Sequence, residues 1–168
     1  MTTEKIDLNI KEKLFSTNTE TVISAISKLK EKGNKLYLPI LFDLLNSNPK
    51  KDIENEINNL LATVKDKESV IYFIQAIEDK KYHPILKSIL VSCWQNRLDF
   101  SKYLPVFIDL VIIEDWEIAF EAFTIIDNLE ILPEQEIIDK SSIKIRTALQ
   151  TSNEQKTYFL QEISTKIS

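Results

Sequence analysis

Apolar positions along this chain recur at spacings of three and four. The stretches YLPILFDL (37–44) and YLPVFIDL (103–110) nearly coincide, 66 residues apart. Halving that offset to 33 puts VIYFIQAI (70–77) between them. In this register Leu38, Ile71 and Leu104 share a column. So do Leu41, Ile74 and Phe107, and then Leu44, Ile77 and Leu110. A recurrence of three is that of one helical face. The same offset aligns Ile53, Leu86 and Ala119, then Ile57, Leu90 and Phe123, then Leu60, Cys93 and Ile126. Each unit therefore reads as a helix pair, A and B, repeated three times over 36–66, 69–98 and 101–130.

The residues between these runs agree. Asn48-Pro49 is expected to open helix B of the first unit, with Asn as cap and Pro in the first turn, where no donor is lost. His83-Pro84 takes that place in the second unit. Glu114-Asp115 takes it in the third, where acids suit a helix N-terminus. Upstream, 5–33 reads as a degenerate pair. A first helix runs near 5–15, and Thr17-x-x-Glu20 forms a capping box before Val22, Ile26 and Leu29. Gly33 is expected to end that second helix in a left-handed conformation. Downstream, 133–168 reads as capping helices. One runs from Pro133 to about Leu149, and Ser152-x-x-Gln155 caps the last.

The apolar columns, the LP pairs at 38–39 and 104–105, and the acidic or Asn-Pro turns resemble HEAT repeats of the armadillo-like α-solenoid class. The resemblance covers about 36–130. It departs at the start of helix B, where HEAT units often carry arginine and this chain has Glu54, Lys87 and Phe120. It implies an all-α fold: a right-handed α-α superhelix of about five antiparallel helix pairs, forming one domain over 1–168. It also implies a curved stack whose B helices face a macromolecular partner. The B helix WEIAFEAFTIIDNLE (116–130) fits such a stack, since its polar residues Glu117, Glu121, Thr124 and Asn128 form one narrow stripe.

Composition narrows the possible functions. The single glycine, Gly33, argues against a hairpin-rich β fold and excludes a P-loop and a Rossmann fingerprint. The single cysteine and single histidine, Cys93 and His83, make no zinc site, and Cys93 reads as core. Apolar runs are too short for a membrane span. The N-terminus lacks the form of a secretory signal, which points to a cytoplasmic protein, and the Ile, Lys and Asn bias to an AT-rich bacterial genome. Residues 99–139 carry eleven acidic groups and one basic, Lys102, whereas 140–168 carry five basic and two acidic. Three explanations compete. The basic tail, with Lys140, Lys144 and Arg146, packs against the acidic segment, or an acidic surface steers a basic partner, or the acids form only a solubilising face.

The leading expectation is a non-enzymatic interaction or scaffold module, monomeric, without cofactor or metal, that binds a protein partner through the exposed B-helix face. Its candidate contacts are Glu117, Glu121, Thr124 and Asn128, extended by Lys87, Ser88 and Gln95 in the second unit and Glu54 and Asn58 in the first. The alternative is a small enzyme or accessory subunit using carboxylates near Trp116. Trp94 and Trp116 beside acids resemble the site of HEAT-like DNA glycosylases. Two arginines and a net charge of −5 argue against phosphate-backbone binding. A third possibility is self-assembly through uncovered end helices.

Overall fold

The computed structural model describes residues 4–168. Ten α-helices joined by short turns and 3-10 segments make up the described residues, with no strand among them. They fall into two compact units, 1–96 and 97–168.

The first unit holds α1 (Leu8–Leu14), α2 (Thr19–Lys32), α3 (Leu38–Asn46), α4 (Lys51–Ala62), α5 (Val70–Glu78) and α6 (Leu86–Asn96). Packing runs between alternate helices: α2 lies against α4, α4 against α6, and α3 against α5. Leu41, Phe42, Ile57, Leu61, Phe73, Ile89 and Leu90 fill the core between them. Phe42 meets Phe73 edge-on at 5.5 Å and Tyr82 at 5.9 Å. Such T-shaped pairs add to the gain from burial alone.

The second unit holds α7 (Leu104–Ile113), α8 (Trp116–Asp127), α9 (Gln135–Leu149) and α10 (Glu154–Ile167). Here α7 packs on α8 and α9, and α10 packs on α7, α8 and α9. Its core is Leu104, Phe107, Ile108, Ala122, Ile126, Ile145 and Leu160, all essentially without exposure.

The structure corrects the expected register. The 3-10 turns before α3, α5 and α7 begin at Lys35, Lys67 and Ser101, offsets of 32 and 34 rather than 33 twice. Leu41 therefore corresponds to Phe73, not Ile74, and Leu38 to Val70. Ile71, assigned to the Leu38 column, is 42% exposed. In α5 the residues on either side of the true column are also apolar, so periodicity alone does not choose between them.

The caps also shift. Asn18, not Thr17, caps α2 by accepting from the Thr21 amide at 2.9 Å. Asn153, not Ser152, caps α10 by accepting from Lys156 N at 2.9 Å. The Asn48-Pro49 reading fails. Lys50 is the N-cap residue of α4 and makes no side-chain bond there, while Asn48 adopts a left-handed φ of 57° after α3. Pro84 sits inside a 3-10 turn, Lys80–Ile85, ahead of α6. Gly33 is extended at φ −68°, not left-handed, and its N–H donates to Leu29 O. Asp115 is the N-cap of α8, accepting from Ile118 N at 3.1 Å.

Candidate functional site

The residues expected to bind a partner divide between the two units. On the first, Glu54 and Asn58 lie on α4, and Lys87, Ser88 and Gln95 on its packed neighbour α6. Glu54 is half-buried and paired with Lys51 at 3.0 Å. Asn58 is half-buried too, and its Oδ1 has no hydrogen-bond partner among the described residues. Lys87 and Gln95 are exposed, and Ser88 is half-buried. On the second unit Glu117 is exposed, Glu121 and Thr124 are half-buried, and Asn128 is exposed just past α8. Thr124 and Asn128 are spent locally. The Thr124 hydroxyl donates to Phe120 O at 2.8 Å, and the Asn128 amide donates to Thr124 O at 2.8 Å.

The more conspicuous surface on α8 is aromatic. Trp116 and Phe120, one turn apart, stack at 5.4 Å with their planes 19° apart. Phe120 continues to Phe159 at 6.2 Å, and Phe159 stacks on Phe123 at 4.9 Å. Tyr158 closes the series at 6.5 Å from Phe123. Only Phe159 is buried. Trp116 is 49%, Phe120 41% and Tyr158 57% exposed. Contiguous exposed rings are costly to hydrate and mark contact surfaces on soluble proteins. Reading Glu117, Glu121, Thr124 and Asn128 as the exposed stripe missed Phe120 and Tyr158. The signal was the spacing Trp116, Phe120, Phe123 on one helix, followed by a Tyr-Phe pair near the chain end.

Much of the basic tail turns inward upon its own unit. Lys144 of α9 pairs with Asp109 of α7 at 2.7 Å. Lys156 and Lys166 of α10 donate to Ile112 O and Asp127 O, both at 2.6 Å, at the carbonyl ends of α7 and α8. Cations are favourable there, because the unpaired carbonyls carry partial negative charge. Lys140 instead pairs along α9 with Glu136 at 2.6 Å. That bond holds the Glu136 carboxyl below its ordinary range.

The duplicated motif now has a local explanation. Its aspartate ties the A helix to an element further along the chain in both copies. Asp109 takes Lys144. Asp43 accepts from the Tyr82 hydroxyl at 2.6 Å and pairs with Lys81 at 3.0 Å. Burial pushes the Asp43 carboxyl up, but the Tyr82 and Lys81 hydrogen bonds outweigh it, and the net shift is downward. Burial, then Asp43, pushes the Tyr82 hydroxyl up, so it stays a donor. Cys93 is a buried core residue, and burial pushes its thiol well up. His83 is exposed in the 3-10 turn before α6.

Among the described residues no three His, Cys, Asp or Glu side chains are grouped to hold a metal ion, and no helix is long and apolar enough to cross a membrane. No family model matches the chain, and no solved structure matches it. One similarity is short: 39% identity over 56 residues with an uncharacterized ATP-binding protein of Methanocaldococcus jannaschii. That segment is 33% of this chain and 14% of the archaeal protein.

Proposed function

We propose that this protein is a non-enzymatic interaction module, an α-solenoid of the HEAT-like type, that holds a protein partner against the aromatic face of α8. The observation that carries the reading is the exposed Trp116–Phe120 stack. Rings of this kind supply large contact area with little side-chain entropy to lose, which is why Trp and Tyr are enriched among residues that dominate interface energies. Glu117 precedes and Glu121 follows Phe120 on the same helix, so a partner with basic residues around an apolar centre suits the surface. The relative named for ATP binding lends no nucleotide function here, since the match spans so little of it and this chain lacks a glycine-rich loop.

The test is site-specific photo-crosslinking in the source cell from a reactive residue at position 116, with Phe120→Ala and Glu117→Lys/Glu121→Lys variants alongside. One protein captured in amounts matching the chain, and lost at least about tenfold in Phe120→Ala, is the expected result. Equal capture from a reactive residue at exposed Gln135 of α9 would overturn it. Because Trp116 and Phe120 are half in water, Trp116→Ala/Phe120→Ala is expected to keep the fold, read by circular dichroism.

A further inference from the structure

Residues 4–7 run without helical structure into α1, and the first unit grips them by three separate contacts. The Asn34 side-chain amide donates to Lys5 O at 3.2 Å. The Tyr37 hydroxyl accepts from Asp7 N at 2.6 Å. Lys35 pairs with the Glu4 carboxylate at 3.2 Å. Two of these contacts read main chain, and only the third reads a side chain. That is how proteins recognise an extended peptide: backbone groups give affinity and one pocket or charge gives selectivity.

Two of the three groups also have partners outside the segment. Asn34 is oriented because its Oδ1 accepts from Leu36 N at 2.9 Å. Lys35 is held by Glu68 and lies 3.8 Å from Asp66. Tyr37 is 4% exposed with the segment in place. Such a site loses little entropy on binding. The segment itself lies at the surface: Glu4, Lys5 and Asp7 are exposed and Ile6 is half-buried. Beside it opens a cleft of about 480 Å³, lined by Glu4, Asn34, Lys35, Tyr37 and Asp66, with Leu38 and Leu41 nearly fully buried beneath them.

From this geometry we infer that the Asn34–Lys35–Tyr37 cleft is a binding site for an extended acidic peptide segment of a partner protein, occupied in this chain by its own residues 4–7. The partner's carboxylate takes the place of Glu4 on Lys35, so the exchange leaves the local charge unchanged. Its backbone carbonyl and N–H take the places of Lys5 and Asp7.

The probe is the capped pentapeptide Glu-Lys-Ile-Asp-Leu, titrated into the ¹⁵N-labelled 168-residue chain and read at the Asn34 side-chain amide. The Glu4→Lys variant weakens the internal competitor while leaving the site intact. Saturable shifts of the Asn34 amide are expected in both proteins, about fivefold tighter in Glu4→Lys because more of it is open. Lys35→Glu is expected to lose them, with its remaining amide spectrum unchanged. Absence of shifts in both wild type and Glu4→Lys would overturn the inference and leave residues 4–7 as an anchor. Equal binding of Lys-Lys-Ile-Asp-Leu would do the same, as would a concentration-dependent dimer of Glu4→Lys by light scattering, which would make a second copy the occupant.

Discussion

A Cβ at Gly33 would lie 2.2 Å from the Leu29 carbonyl oxygen. The single glycine of the chain is therefore required by a close approach, not by a left-handed turn. The left-handed turns fall to Asn48 and Arg97, at φ 57° and 58°. Asn tolerates that conformation, whereas Arg pays roughly 1 kcal/mol for it. Asp43 is the residue whose chemistry is most open to measurement. Its carboxyl lies below its ordinary 3.8 in the fold, so its contribution is present above 3.8 and fades as the pH falls through the lower folded value. With half of its side chain exposed, solvent screening keeps that contribution to about 1 kcal/mol or less. Asp43→Asn is expected to be less stable than wild type at neutral pH, with the gap closing in acid. Urea midpoints measured across the acid range check this. A gap that persists at the lowest pH would mean the aspartate acts by packing instead.

At the scale of the element, helix identity follows from apolar recurrence, while helix ends follow from single polar atoms. Asp115 shows the second effect. Its carboxylate takes the Ile118 amide at the start of α8, one of the donors an isolated helix end leaves unpaired. Asp115→Ala is expected to cost about 1 kcal/mol in urea unfolding, and Asp115→Asn only a fraction of it. Equal losses would show that the charge matters more than the hydrogen bond. The caps at Asn18 and Asn153 each lie one residue beyond the Thr or Ser of a capping-box pattern. Both neighbours can accept a hydrogen bond, and chain geometry decides which one does. The same ambiguity shifts α5. Its apolar run IYFI offers two adjacent columns, and packing of Phe73 against Phe42 takes the one that periodicity did not favour.

At the scale of the molecule, the proposed function is one of contact surfaces. A glycine-rich phosphate loop would need backbone approaching phosphate, and the only glycine is committed at the end of α2. Magnesium-ATP at millimolar concentration is expected to move the melting temperature by less than about 1 °C. A saturable rise would instead bring the archaeal ATP-binding relative's label to bear on this chain. The sequence by itself determined the helical class, the alternation of A and B helices and the membership of most of the core. Those follow from periodic burial, which any helix carrying that pattern must satisfy. It also marked Asp115 as a helix start, because the acid there has a purely local partner. Tertiary structure decided the 32 and 34 spacing, the exposure of Ile71 and Phe120, and the aromatic series from α8 to α10. It also brought Glu4, Lys5 and Asp7 onto Asn34, Lys35 and Tyr37, about thirty residues away. Each of these depends on which neighbour a residue meets across the fold, and that information lies in packing geometry rather than in spacing along the chain.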